Sequence, residues 1–281
     1  MKAAKFEYRR PATLSEAIDM LAQADGTAKA MAGGQSLGPM LNLRLARPAI
    51  VVDLGGVAEL RVVSRTGAGI DVGAAVTHAQ IEDGVFEPLR GHPLQAAATG
   101  IAYRAVRNRG TIGGSLAHAD PAADWVVVLA ALGAELTLIS PRGARRLPMA
   151  GFMQGAYTTA LAPDELITTI HLPAFDAGSR WGYYKFARKT GEFAEANCAA
   201  LFDPRTRAAR IVMGALDGPP QALPALAAAV ARDGLAAADR KEVLAAVRAA
   251  LPGRDAIGVQ LHAVSVERCL AQALVGEAAA A

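Results

Sequence analysis

Two pairs of glycines, each followed by a serine, are the residues whose types and spacing are best suited to binding chemistry. The first pair lies in Gly33-Gly34-Gln35-Ser36 and the second in Thr111-Ile112-Gly113-Gly114-Ser115. Glycine adopts positive φ at little cost and carries no Cβ, so such turns can present consecutive backbone N–H groups to an anion. Either pair alone is also explained by a plain turn after a strand. Two such turns on separate lobes, however, can hold one pyrophosphate from two sides.

Two aspartates follow the second glycine pair and add acceptors to the candidate site. Asp120 and Asp124 flank the predicted start of a helix near Ala122, where the helix dipole favours carboxylates and free N–H groups need caps. Capping explains one of them. The other can accept a hydrogen bond from a ribose hydroxyl or from a ring N–H of a ligand. His118, in the same stretch, is a further candidate contact.

Other kinds of site lack their motifs. Neither glycine pair fits G-x-G-x-x-G or G-x-x-x-x-G-K-[ST], and the five histidines show no H-x-x-x-H or H-E-x-x-H spacing, so no metal site is expected. The stretch 34–38 is spelled like a hydrolase nucleophile elbow, but its first glycine belongs to a pair and no partner order is evident. Cys198 and Cys269 stand 71 positions apart, which gives neither a disulfide framework nor the ligands of an iron–sulfur cluster.

The composition is that of an ordinary globular protein. Of the 281 residues, 52% are hydrophobic and 20% charged, and the net charge is +3. The arginines are scattered and no basic run alternates with aromatics, so nucleic-acid binding is not expected. The N-terminus has no apolar core of signal-peptide length, and the run 126–132 is far shorter than the ~18 apolar residues of a membrane span. We therefore expect a cytoplasmic protein without membrane insertion.

The elements that must position these residues form an α+β pattern. Thr13 and Glu16 predict a capped helix, and strands at 28–32 and 50–54 complete a first lobe over residues 1–57. Residues 58–175 predict a second lobe. Its expected strands are 62–63, 69–73, 134–139 and 166–172, and its expected helices begin after Thr77 and cover 94–101 and 122–132.

A run of turn formers at 173–179 is the predicted domain boundary. Residues 176–281 then form a predicted C-terminal domain. Its strands, at 181–188, 194–202 and 208–216, give a three-stranded antiparallel sheet. Alanine-rich helices follow, one of them capped by Asp239, and residues 277–281 are expected to fray.

Three segments together resemble the FAD-binding (medium) subunit of the molybdenum hydroxylase family, of the carbon monoxide dehydrogenase and xanthine dehydrogenase type. They are Ala32–Leu37, Thr111–Ser115 and Ala117–Asp124, and the segment Pro39–Pro48 adds to the match. The resemblance covers nearly the whole chain, including the order of the lobes. It implies a two-lobed FAD-binding domain of the PCMH (vanillyl-alcohol-oxidase-like) type over residues 1–175, followed by the C-terminal domain.

The resemblance also implies which residues contact FAD. Both glycine segments would embrace the pyrophosphate, Asp124 would be the acidic flavin contact, Ile101 an apolar contact and Lys185 the basic residue of the C-terminal domain. Phe193 takes the position of an aromatic residue near the flavin, often a tyrosine in relatives, and its alternative is a buried strand residue. The implied cofactor-binding residues, none of them catalytic, are Met31, Ala32, Gly33, Gly34, Gln35, Ser36, Leu37, Ile101, Thr111, Ile112, Gly113, Gly114, Ser115, His118, Asp120, Asp124, Lys185 and Phe193.

The function implied by the resemblance is electron transfer within a heteromeric molybdenum hydroxylase. A large subunit would carry the molybdenum cofactor, a small subunit would carry [2Fe-2S] clusters, and this chain would pass electrons from those clusters to an external acceptor, in a dimer of heterotrimers. The shortage of cysteines fits that division of labour. Two alternatives stay open: a self-contained FAD-dependent dehydrogenase with its own general base, and a cofactor-free scaffold subunit.

Overall fold

The computed structural model describes residues 2–176 and 178–275, so the fraying predicted for 277–281 lies outside the described residues. The helices are α1 (Leu14–Gln23), α2 (Leu37–Asn42), α3 (His78–Glu82), α4 (Pro93–Thr99), α5 (Arg104–Arg107), α6 (Ile112–His118), α7 (Asp124–Leu132), α8 (Pro224–Asp233), α9 (Arg240–Ala250) and α10 (Ala256–Val275). The strands are β1 (Glu7–Arg9), β2 (Ala28–Met31), β3 (Ile50–Asp53), β4 (Val63–Thr66), β5 (Gly69–Gly73), β6 (Glu135–Ser140), β7 (Gly143–Pro148), β8 (Met153–Gly155), β9 (Thr158–Thr159), β10 (Leu166–Pro173), β11 (Arg180–Phe186), β12 (Ala196–Asp203), β13 (Ala208–Gly214) and β14 (Gln221–Ala222).

The first sheet is small and parallel, in the order β1-β3-β2, and α1 covers it. The predicted capping box at the start of α1 is present: the Thr13 side chain accepts from the Glu16 N–H, and the Glu16 carboxylate accepts from the Thr13 N–H. The three apolar residues Ala17, Ile18 and Leu21 form the buried stripe of this helix. The strand β1 was not predicted, because three residues are too short to show an alternating pattern.

The second sheet has five antiparallel strands in the order β4-β5-β10-β6-β7, and β7 was not predicted either. Helix α7 lies in the core against this sheet, with apolar residues on every side of it. Helix α3 begins after Thr77, as expected, and a capping box formed by Thr77 and Gln80 opens it. The second glycine pair departs from prediction: Gly113 and Gly114 form the first turn of helix α6, whose N-cap is Thr111, and not a free turn.

The third sheet contains the three predicted antiparallel strands β11, β12 and β13, and the two-residue strand β14 extends it to four. Helices α8, α9 and α10 cover one face, and Asp239 caps α9 as predicted. Cys198 and Cys269 are free thiols buried in this core. Among the described helices, none combines the length and hydrophobicity that a membrane crossing requires.

The other face of the third sheet packs on α7, which brings the C-terminal strands to the candidate site. Val127 lies so close to β13 that a Cβ on Gly214 would be 2.1 Å from its Cγ2. The Arg210 guanidinium on β13 donates to the carbonyl oxygens of Ala131 and Leu132 at 2.9 and 3.1 Å, where the helix leaves carbonyls free. This contact sets β11 opposite the N-terminus of α7.

We predict that Gly182→Ala destabilises the chain. A Cβ at Gly182 would lie 2.1 Å from the carbonyl oxygen of Cys269 on α10, so the helix would have to move away from β11. The expected loss is about 1–3 kcal/mol of unfolding free energy, measured by urea unfolding. Gly218→Ala is the matched control, because nothing lies within 4 Å of that Cβ, and it should unfold like the wild type. Equal stability of the two variants would contradict this packing.

Two histidines, His78 and His92, are buried, and we predict that the folded chain loses stability in mild acid because of them. The Nδ1 of His78 accepts from the Trp125 indole, and the Nδ1 of His92 accepts from the Leu94 N–H. Burial, with a smaller contribution from a nearby arginine charge, lowers the pKa of each ring to about 4. Between pH ~6.5 and ~4 the unfolded chain therefore binds protons that the folded chain does not, and unfolding becomes easier as the pH falls.

The measurement is the free energy of unfolding in urea between pH 7 and 4. Each ring should contribute a loss of roughly 3 kcal/mol over this window, and stability should be retained above it. His78→Gln offers Trp125 another acceptor but cannot titrate, so its stability should fall less steeply with pH. Parallel curves for the variant and the wild type would show that His78 does not contribute.

Candidate functional site

A cavity of about 920 Å³ lies where the two lobes meet the third sheet. Its volume is within the range of small-molecule and cofactor sites. All the cofactor-binding residues predicted from the sequence line it, with the exception of Ile112. The Ile112 side chain is instead fully buried in the core of the second lobe, and its N–H donates to the carbonyl of Val76.

The two glycine segments lie against each other because two of the glycines allow backbone to touch backbone. A Cβ on Gly33 would be 2.0 Å from the carbonyl oxygen of Arg109 and 2.8 Å from the Cα of Gly110. A Cβ on Gly113 would be 2.5 Å from the Cβ of Ala74. The first glycine of each pair is therefore required by packing. The structure thus brings together two segments that are 80 residues apart in the chain.

The second glycine of each pair faces the cavity. Gly34 has a φ of +72°, a conformation that glycine adopts without strain. A Cβ on Gly114 would meet only the Thr111 hydroxyl at 2.8 Å and the Ala32 Cβ at 3.7 Å, and would otherwise project toward open space. Absence of a side chain at this position leaves room for a ligand to approach the backbone.

The first segment offers unpaired donors. Within the described chain, the backbone N–H groups of Gly33 through Leu37 donate to no other residue, and the Ser36 hydroxyl has no partner either. These five N–H groups follow one another at the end of β2 and the start of α2, and the segment lines the cavity. Consecutive N–H groups of this kind form an anion-binding concavity.

The second segment does not offer its amides, so the prediction of a second amide concavity is wrong. The N–H of Gly113 donates to the carbonyl of Ala74, that of Gly114 to the Thr111 hydroxyl oxygen, and that of Ser115 to the carbonyl of Thr111. These bonds arise because the segment is the capped first turn of α6. What remains for a ligand is the Ser115 hydroxyl, which has no partner among the described residues, and the bare surface of Gly114.

A buried ion pair closes another part of the cavity. The Lys185 ammonium on β11 donates to Asp124 Oδ2 at 3.2 Å and to the carbonyl of Gly100 at 3.2 Å, while the Tyr183 hydroxyl donates to Asp124 Oδ1 at 2.5 Å. Asp124 is the first residue of α7, a position that favours a carboxylate. Burial raises the pKa of Asp124, and the charge of Lys185 acts against that rise. Burial and the neighbouring carboxylate raise the pKa of Tyr183 well above its usual value, so its hydroxyl stays a donor.

Asp120 and His118 form a separate group with a tyrosine. Asp120 accepts from the Ala122 N–H at 2.9 Å and from the Tyr157 hydroxyl at 3.4 Å. The first bond is the predicted capping role, but it caps a turn that precedes α7 and not the helix itself. The His118 ring lies 5.2 Å from that of Tyr157. Tyr157 has a φ of +56°, which is uncommon for a non-glycine residue and places its ring at the cavity.

Ile101 and Phe193 give the rim an apolar character. Phe193 lies before β12 and is 62% exposed, so its alternative interpretation as a buried strand residue is wrong. Tyr103 is equally exposed on the same rim. The neighbouring Gly191 packs on Ala102 and Tyr103, which holds the segment before Phe193 against the second lobe.

Three tyrosines of the site, Tyr103, Tyr157 and Tyr183, were missed by sequence reasoning. Tyr183 had a usable signal, since it precedes Lys185 by two positions and side chains alternate along a strand. Tyr157 and Tyr103 had none. Their place depends on the β8–β9 hairpin and on a loop after α4, whose positions follow from the tertiary fold.

Comparison with known proteins agrees with this geometry. The family model described as FAD binding domain in molybdopterin dehydrogenase matches residues 4–175. The nicotine 6-hydroxylase medium subunit of Paenarthrobacter nicotinovorans is 39% identical over 227 residues, covering 80% of this chain and 79% of that protein. The carbon monoxide dehydrogenase medium chain of Hydrogenophaga pseudoflava is 39% identical over 197 residues, covering 70% of this chain and 69% of that protein.

Solved structures extend the likeness to the C-terminal domain. A carbon monoxide dehydrogenase from Hydrogenophaga pseudoflava that lacks the Mo-pyranopterin moiety superposes with a TM-score of 0.90 at 32% identity, over 98% of this chain and 99% of that chain. Quinoline 2-oxidoreductase from Pseudomonas putida 86 gives a TM-score of 0.87 at 33% identity, also over 98% and 99%. This chain therefore belongs to the molybdenum hydroxylase family as one of its FAD-containing subunits, built on the FAD binding domain of molybdopterin dehydrogenases.

Proposed function

We propose that this chain holds one FAD in the cavity between its lobes and serves as an electron-transfer subunit. The observation that carries the proposal is the row of unpaired N–H groups from Gly33 to Leu37, which shares one cavity with the Asp124–Lys185 pair. The cavity thus combines donors for a diphosphate with an acceptor and a cation for a polar ring edge. When bound, FAD supplies the redox chemistry, and the protein sets its position, polarity and exposure.

The residues divide this work between them. The Gly33–Leu37 amides and the hydroxyls of Ser36 and Ser115 would hold the pyrophosphate, and Gly114 leaves space for it. Asp124 would accept from a ring N–H of the flavin, with Lys185 beside it, and Ile101 and Phe193 would cover apolar ring surface. Asp120 is suited to accept from a ribose hydroxyl. With the proposed domains of residues 1–175 and 176–281, Lys185 and Phe193 come from the C-terminal domain and the other groups from the FAD-binding domain.

We propose partners from the names of the relatives. A medium subunit of nicotine 6-hydroxylase and a medium chain of carbon monoxide dehydrogenase each imply further chains. The chain would take electrons from [2Fe-2S] clusters of a small subunit, reduced by a large subunit with a molybdenum cofactor, and would deliver them to an external acceptor. A dimer of heterotrimers is the expected assembly, in the cytoplasm.

The two alternatives have less support. A self-contained dehydrogenase needs a general base over the flavin. Two titratable groups of the cavity are already engaged, Asp124 by Tyr183 and Lys185, and His78 by Trp125. His118 also lines the cavity, and within the described residues it has only a ring contact with Tyr157. A cofactor-free scaffold would leave the five consecutive unpaired N–H groups beside the cavity to solvent alone.

Gly114→Val tests the pyrophosphate position. A branched side chain would project into the cavity, so we expect purified protein that retains no FAD, measured by its visible absorbance. Far-UV circular dichroism should be unchanged. Gly67→Val is the control, since nothing lies within 4 Å of that Cβ, and it should keep its flavin. Normal flavin content in Gly114→Val would refute the role of this position.

The isolated chain tests the electron-transfer role. Purified alone, it should be yellow or bind added FAD, and its flavin should be reduced by dithionite but not by nicotine or carbon monoxide. The reason is that this chain would contain no substrate-oxidising centre of its own. The measurement is flavin bleaching under anaerobic conditions. Bleaching by a substrate without partner chains would favour the self-contained dehydrogenase, and protein that binds no FAD would favour the scaffold.

A further inference from the structure

Tyr183 is the closest partner of the Asp124 carboxylate, yet the proposed function leaves it without a role. Its hydroxyl lies away from solvent and donates to Oδ1 at 2.5 Å. We infer that Tyr183 is a positioning residue, which fixes the Asp124 carboxylate so that Oδ2 is the oxygen presented to the cofactor. The inference rests on the proposed function, because the group it serves is FAD.

The hydrogen bonds at the carboxylate support this assignment. Tyr183 and Lys185 stand two positions apart on β11, so their side chains leave the same face of the strand. The Lys185 ammonium is 3.1 Å from Oδ1 and 3.2 Å from Oδ2. Oδ1 thus accepts from the Tyr183 hydroxyl and also lies close to the ammonium, whereas Oδ2 accepts from the ammonium alone. A carboxylate has about four acceptor positions, so Oδ2 keeps the greater capacity to accept from a ligand.

The lysine alone cannot fix the carboxylate in the same way. An ammonium carries three donors on a flexible four-carbon stem, and here one of them also goes to the carbonyl of Gly100. The tyrosine has one donor on a rigid ring, and its backbone N–H is bonded to the Gln272 side chain at 3.0 Å. Loss of the hydroxyl would let the carboxylate of Asp124 rotate toward Lys185.

The matched control lies next in the chain. Tyr184 points to the opposite face of β11, where its hydroxyl accepts from Arg268, and it does not line the cavity. Tyr183→Phe and Tyr184→Phe each remove one hydroxyl from the same strand. A general effect of losing a tyrosine hydroxyl on the third sheet should therefore appear in both variants.

The experiment compares the dissociation constant for FAD, the reduction potential of the bound flavin and the melting temperature of the apo-chain in wild type and both variants. We expect Tyr183→Phe to weaken FAD binding about tenfold and to shift the flavin potential. Because a buried hydrogen bond to a carboxylate is lost, the apo-chain should also melt at a lower temperature. Tyr184→Phe should match the wild type in FAD affinity and potential.

The outcomes separate this inference from the proposed function. If the wild type binds FAD and Tyr183→Phe binds it with the same affinity and potential, only the positioning role is overturned. If Tyr183→Phe binds FAD more weakly but keeps the wild-type flavin potential, the positioning role is also overturned, because the loss would then be only structural. If the wild type binds no FAD, the proposed function fails first and the inference with it.

Discussion

The site depends on one contact between two stretches of backbone. Gly33 lies so close to the Arg109 carbonyl and to Gly110 that no other residue fits without moving the chain. This contact joins the end of β2 in the first lobe to the segment before α6 in the second, and Gly113 against Ala74 holds that segment onto its own sheet. Because both positions are fixed by packing, the cavity between the lobes has a fixed width before any ligand enters. When the site is already ordered before binding, less of the binding free energy is lost to ordering the protein.

The buried ion pair of Asp124 and Lys185 is a second constraint on the structure. The free energy needed to bury its two charges suggests a role other than stability. Removing two charges from water is expensive, and a buried pair contributes little to stability compared with apolar residues of similar size. Here the pair also requires α7 to be aligned with β11. Two contacts between α7 and β13 provide this alignment, that of Arg210 with the Ala131 carbonyl and that of Val127 with Gly214. A pair that stabilises the fold so little, at the wall of a cavity, is better explained by a ligand that uses both charges.

Local signals in the sequence were sufficient for much of the fold. The capping boxes at Thr13 and Thr77 need only neighbours three residues away, and both helices begin where predicted. The same reasoning missed β7, none of whose residues is buried, and it interpreted the second glycine pair as a turn. The Thr111 side chain instead caps helix α6. Whether a glycine pair starts a helix or ends a strand depends on what packs behind it, in this case Ala74, and no local pattern contains that information.

The candidate site shows the same division between local and tertiary causes. All but one of the residues implied by the resemblance line the cavity. The resemblance gave both glycine segments one role, however, whereas the hydrogen bonds give them different ones. Only the first segment has unpaired backbone N–H groups. The second contributes the Ser115 hydroxyl and the open space beside Gly114. Negative charge on a ligand would therefore be stabilised mainly from the first lobe, while the second lobe and β11 supply Asp124, Lys185 and Tyr183. An arrangement in which Asp124 and Lys185 already have each other as partners is suited to holding a polar redox group in place.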